Sequence, residues 1–172
     1  PKDKSSLSLC LDFITNTKGK INIVTTSKRH NKEYHNPNIS IETIKNYSNP
    51  DLILGVTGDY MLDIADELSK ELEKENVKVK IVYVTNPKLL DINSKYALSE
   101  EKFYSYFNKN TKIIYLYSGY SLIIKSLLYD RSIYPTVLGY YDRISVSGHY
   151  QDIAKENNLQ ISDVVEIYKN KI

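Results

Sequence analysis

One stretch, from Leu52 to Val84, restricts the fold of this chain more than any other. The apolar run Leu52-Ile53-Leu54-Gly55-Val56 stops at Thr57-Gly58-Asp59, a charged stretch from Tyr60 to Glu75 follows, and a second apolar run covers Val79 to Val84. Short, β-branched apolar runs read as buried strands. The stretch between them has the helical period, with Leu62, Ala65, Leu68 and Leu72 on one face and Asp63, Glu67, Lys70, Glu71 and Lys74 on the others. Asp59 is the expected N-cap and Asn76 the expected stop. Strand, helix and strand in this order make a parallel pair joined by a right-handed crossover.

The pattern recurs downstream. Lys112 to Tyr117 reads as a strand, Ser118-Gly119-Tyr120 as a turn, Ser121 to Tyr129 as a helix, and Thr136 to Tyr140 as a further short strand. Ser99-Glu100-Glu101 caps a helix reaching Asn108, with Phe103, Tyr106 and Phe107 toward the core. A Ser- and Gly-containing loop over 142–148 leads to helices near 149–157 and 161–170. Upstream, Ser5 to Thr15 is expected as a Ser-capped helix with Leu7, Leu11 and Ile14 on its buried face. Ile21 to Thr26 is expected as a buried strand, Lys28 to Asn38 as a loop, and Ser40 to Asn46 as a short helix ended by Asn49-Pro50. Strands alternating with helices give an α/β fold: three layers, with a mostly parallel (mixed) sheet of about five strands and helices on both faces.

Composition narrows the function classes. The 172 residues suffice for one core, and a net charge of +2 from scattered Lys and Arg favours neither nucleic acid nor an anionic membrane. No apolar stretch approaches the roughly 18 residues a spanning helix needs, and the first ten residues lack the apolar core of a signal peptide. The single cysteine, Cys10, lies among leucines and reads as a buried structural thiol, which excludes an internal disulfide. A reduced, cytoplasmic setting is the expectation. Sixteen Tyr against three Phe and no Trp read as Tyr serving as an amphipathic hydrophobe.

Few motifs carry chemistry. Gly55-Val56-Thr57-Gly58 is neither a Walker loop nor a dinucleotide fingerprint. The helix starts after Gly58 and Gly119 offer backbone N–H groups to an anion, although the charge of Asp59 opposes one there. His30, His35 and His149 do not share a metal-ligand spacing, and no Gly-x-Ser-x-Gly elbow is present. The cluster Ser27-Lys28-Arg29-His30 begins at the C-terminal end of an expected strand, where α/β sheets place ligands. A Lys there suits a phosphate as a compact point charge. Taken by itself, a solvated loop charge is the favoured reading.

Read in order, these landmarks resemble the C-terminal part of a phosphoketolase. Lys20 to Arg29 is similar to the family's "KVNVIVAGKQ" strand and loop. Asn49-Pro50-Asp51-Leu52-Ile53-Leu54 with Gly58-Asp59 resembles "PDVVLA-AGD", and Lys80 to Asn86 resembles "KVRVVNVVD". Leu98 to Phe103 resembles "LSDEEF". Tyr117-Ser118-Gly119-Tyr120 with Leu127 to Arg131 resembles "YHGY…LIYDR", and Leu138-Gly139-Tyr140 resembles "VHGY". The resemblance implies a transketolase C-terminal-like domain over 39–172, preceded over 1–38 by the end of a Pyr domain and a linker.

It further implies an enzyme that cleaves ketose phosphates (xylulose 5-phosphate, fructose 6-phosphate) with phosphate, giving acetyl phosphate and an aldose phosphate. Thiamine diphosphate and a divalent cation such as Mg would be held by upstream domains of a homodimer. This chain would supply structure and dimer support, with no catalytic or metal-binding residue and no activity by itself. Lys28 matches the family's "GK" lysine, which implies a contact with the substrate phosphate and reverses the solvated-loop reading. Departures fall at loops: Ser27 replaces Gly, Arg29-His30 replaces Gln-Pro, Ser118 replaces His, and Ser145 to His149 replaces a Thr-rich loop. A chain that opens at Pro1, partway through a family domain, is expected to belong to a longer protein. The alternative is an α/β binding or assembly module without catalysis.

Overall fold

The structure, a computed structural model, describes residues 1–27, 32–34, 38–141 and 148–170. Eleven main elements follow in order. They are α1 (Lys4–Thr15), β1 (Ile41–Lys45), β2 (Leu52–Thr57), α2 (Asp59–Lys74), β3 (Val79–Val84), α3 (Glu100–Tyr106), β4 (Lys112–Tyr120), α4 (Ser121–Leu128), β5 (Thr136–Tyr140), α5 (Tyr150–Glu156) and α6 (Ile161–Asn170). The five strands form one sheet in the order β1-β3-β2-β4-β5. β1 runs antiparallel at one edge, and the other pairs are parallel.

All six residues of β3 are buried, as are the first five of β2. A strand covered on both faces needs mostly apolar side chains on both, and Lys80 of β3 is the exception, its ammonium donating to the Ser105 carbonyl at 2.8 Å. Leu54 stands opposite Ile81 on one side and Ile114 on the other. These residues pack beneath Met61, Leu62, Ala65 and Leu68 of α2 and Val164 of α6. On the opposite face Ile53, Val82 and Tyr115 meet Phe103 of α3, Phe107 just beyond it, and Ile124 and Leu128 of α4. The position a Cβ would take at Gly55 is filled by the ring of Tyr115, so glycine here lets an aromatic lie flat on the sheet.

Helix boundaries follow local chemistry. Ser99 caps α3 by accepting a hydrogen bond from the Lys102 amide, and Glu100 and Glu101 fill its first turn. After α2, Asn76 takes a left-handed conformation with φ 64°, which stops the helix. At the start of α2 the expectation fails. Gly58 occupies the cap position without a side-chain bond, and Asp59 is already helical, its charge complementing the helix dipole.

The N-terminal third departs further from expectation. Ile21 to Thr26 forms no strand, and Ile21 and Ile23 are 95% and 83% exposed, because no strand among the described residues lies beside them. Ser40 to Asn46 is no helix. Its Ile41 to Lys45 section is β1, whose pairing with β3 outweighs a weak capping signal. α1 is present, but Asp3 caps it: the Asp3 carboxylate accepts from the Ser6 amide at 2.7 Å, and Ser6 Oγ accepts from the Asp3 amide. Its buried residues are Ser6 and the free Cys10, while Leu11 is left exposed. The small residues face inward because a buried ion pair, Lys2 Nζ to Glu42 at 2.6 Å, draws the start of α1 onto β1. Among the described residues, no helix is long and apolar enough to cross a membrane.

Candidate functional site

The connections leave β2 in two directions. α2 leads from β2 to β3 on one side, and the chain then crosses back through α3 to β4 on the other side of β2. The C-terminal ends of β2 and β4 therefore flank a topological switch point, the place where open α/β sheets form a crevice.

Two hydroxyls organise this end of the sheet. Thr57 Oγ1 donates to the Val84 carbonyl at 2.9 Å and lies 2.8 Å from the Tyr115 hydroxyl. With Thr57 donating to the carbonyl, Tyr115 is left as donor to Thr57, and β3, β2 and β4 are tied in one chain. Burial pushes the Tyr115 phenol far above its ordinary range, and burial does the same to Tyr83 with the charge of Asp59 assisting. Both phenols therefore serve as neutral hydrogen-bonding groups.

Gly58 and Ser118 meet across the switch point. Gly58 has φ 108°, a conformation L side chains rarely adopt, and a Cβ there would collide with the Ser118 side chain. Glycine is thus required at this position on two counts. Ser118 Oγ is buried and makes no hydrogen bond among the described residues. Its position was legible in the sequence only as a serine at a strand end. What it lies against depended on how β2 and β4 pair.

Ser27 reaches the same place from the N-terminal segment, its hydroxyl donating to the Asp59 carboxylate at the start of α2. At the rim, Tyr60 of α2 meets Tyr150 of α5 edge-on at 5.0 Å, and His149 packs on Tyr150 at 4.3 Å. No group of three His, Cys, Asp or Glu among the described residues has the placement to hold a metal ion. The crevice offers hydroxyls, the amides opening α2 and one carboxylate, groups that bind and orient. Lys28, Arg29, His30 and His35, with the loop segment that includes Ser145, lie outside the described residues.

Comparison with known proteins agrees with this architecture. The family model described as "XFP C-terminal domain", the phosphoketolase C-terminal domain, matches residues 36–165. No curated protein matches the chain by sequence. Among solved structures, a transketolase H261F mutant from Pichia stipitis is 19% identical with a TM-score of 0.57, covering 76% of this chain and 18% of that one. Transketolase from Campylobacter jejuni subsp. jejuni NCTC 11168 is 17% identical with a TM-score of 0.58, covering 83% of this chain and 21% of that one. A split gene transketolase, titled an inactive beta4 tetramer, is 19% identical with a TM-score of 0.54, covering 80% of this chain and 45% of that one. At these identities the likeness speaks for the fold. The chain spans about a fifth of the length of the first two transketolases.

Proposed function

This chain belongs to the XFP C-terminal domain family, and from that premise we propose that it is the C-terminal region of a phosphoketolase acting on xylulose 5-phosphate or fructose 6-phosphate. The carrying observation is the family match over 36–165, which runs through every strand of the sheet. The products would be acetyl phosphate and an aldose phosphate, in a cytoplasmic homodimer. Among the described residues no group of three His, Cys, Asp or Glu is placed to hold the Mg that would accompany thiamine diphosphate. Their place is assigned to upstream domains, and the present chain's part is to bind and position.

Lys28 is the residue proposed to hold the substrate phosphate. Ser27, to which it is bonded, hydrogen-bonds Asp59 at the switch-point crevice, which supports a ligand role for this segment. A lysine there would anchor the non-reacting end of the sugar and so orient the carbonyl. Residues 1–38 are proposed as the end of a preceding domain. The exposure of Ile21 and Ile23 supports this, since two isoleucines spaced for one face of a strand lack the sheet they would join. The split transketolase, titled inactive, supports the reading that such a region does no catalysis alone.

The test is an assay of the longer enzyme for phosphate-dependent acetyl phosphate formation from xylulose 5-phosphate. Lys28→Ala should raise the KM for the sugar phosphate about tenfold or more, the effect of losing a charge-assisted hydrogen bond, with folding intact. An unchanged KM removes Lys28 from the site. Absence of acetyl phosphate formation by the unsubstituted enzyme sinks the phosphoketolase reading.

A further inference from the structure

The opposite end of the sheet carries a second polar recess, remote from the switch-point crevice. A cleft of about 400 Å³ opens where β4 and β5 begin, between residues 109–113 and 132–136. Its size lies within the roughly 300–1,000 Å³ usual for small-molecule sites. The buried side chains of Ile113 and Ile133 contribute apolar surface. Around them stand Lys109 and Lys112 with the hydroxyls of Thr111, Ser132, Tyr134 and Thr136, and no carboxylate is among the lining residues.

Two features make this more than a polar dent. First, the hydroxyls of Thr111, Ser132, Tyr134 and Thr136 make no hydrogen bond to another described residue, which leaves four donors and acceptors for an occupant. Second, the cationic groups are placed by aromatic rings. Lys109 Nζ sits 4.1 Å from the centre of the Tyr104 ring and Lys112 Nζ 4.7 Å from that of Tyr168, while Lys112 also donates to the Tyr168 carbonyl. A hydrogen bond to Tyr104 raises the Lys109 pKa, and the charge of Glu100 acts in the same direction. Ser132, with φ 54°, turns the chain so that the 132–136 segment closes one wall.

We propose that this cleft binds a small phosphate ester carrying hydroxyl groups, with Lys109 on the phosphate and the cleft hydroxyls on the rest. An exposed ammonium held on an aromatic ring suits the anion, and ungrouped hydroxyls suit a polyol whose own hydroxyls both donate and accept. The site faces away from the proposed substrate crevice and does not depend on the phosphoketolase reading.

The experiment is a titration of the isotope-labelled 172-residue chain with ribose 5-phosphate, followed by amide chemical shifts, with ribose as a parallel arm. Saturable shifts confined to 109–113 and 132–136, absent with ribose at equal concentration, are the expected result. Lys109→Gln should weaken binding about tenfold, and the control Lys155→Gln, on α5, should leave it unchanged. Shifts that fail to saturate, shifts only at the β2–β4 crevice, or equal losses in both variants would overturn the proposal. Both lysines are exposed, so both variants are expected to fold.

Discussion

Gly58 shows how one residue can be fixed by two independent constraints. Its φ of 108° excludes ordinary side chains on backbone grounds, and Ser118 excludes a Cβ on packing grounds. Gly58→Ala should therefore destabilise the chain by about 2–4 kcal/mol, combining left-handed strain with a displaced neighbour. Adding Ser118→Gly should return the packing part and leave the strain. Urea unfolding of the single and double variants separates the two, and a wild-type midpoint for Gly58→Ala would show that neither constraint is real. The sequence displayed a Thr-Gly-Asp turn at this place. It could not display the serine sixty residues on that makes the glycine indispensable.

Among the elements, the connections between strands depend on one buried cation. Arg131, in the 3-10 turn after α4, donates from Nε to the Leu90 carbonyl at 2.8 Å and from a terminal nitrogen to the Leu98 carbonyl at 2.9 Å. Its guanidinium also lies 4.6 Å from the centre of the Phe103 ring. It thereby fastens the β3–α3 crossover to the α4–β5 connection, and burial lowers its pKa without a carboxylate in direct contact. Arg131→Met should cost about 3 kcal/mol, because two buried carbonyls lose charged donors. Arg131→Lys should recover part of that, since one ammonium on a shorter reach cannot serve both carbonyls. A loss below about 0.5 kcal/mol in thermal or urea unfolding of the Met variant, the range of ordinary surface changes, would refute the clamp.

The same scale explains which elements were legible. β2, β3 and β4 announce themselves because strands in the middle of a covered sheet are mostly apolar, with Lys80 the charged residue inside β3. α2 does so through its period. β1 does not: Ile41 to Lys45 is five residues of an edge strand, held by pairing with β3 and by few local preferences. α1 was legible as a helix, but its buried face was not. That face is set by the Lys2–Glu42 ion pair and by the Tyr34 amide donating to Asp3, contacts about thirty and forty residues away along the chain.

Across the whole molecule, stability should depend on acidic groups at two docking points. Burial would raise the Asp3 carboxyl, but hydrogen bonds from Ser6, the Tyr34 amide and the charge of Lys2 outweigh it and hold the group below the usual value. Burial likewise opposes ionisation of Asp66, and Lys70 at 2.7 Å with Lys32 prevails. Both folded-state values are depressed, so the stabilisation is complete above the unfolded value near 3.8 and is lost as pH falls through the folded values. Urea midpoints should be flat from about pH 5 to 7 and decline below about pH 4, less steeply in Asp3→Asn. A midpoint unchanged down to about pH 2.5 would mean that neither carboxylate is favoured by folding.

By itself the sequence determined the layered α/β class, the parallel centre of the sheet and the family, because hydrophobic burial on two faces and ordered motifs are written locally. The tertiary structure decided what stands at each end of that sheet. It set Ser118 against Gly58 at the switch point, left Ile21 and Ile23 without a sheet, and gathered the lysines and hydroxyls of the far cleft. Those arrangements depend on strand order and on which loops meet. Strand order is a balance of contacts between residues distant along the chain, and no local pattern records it.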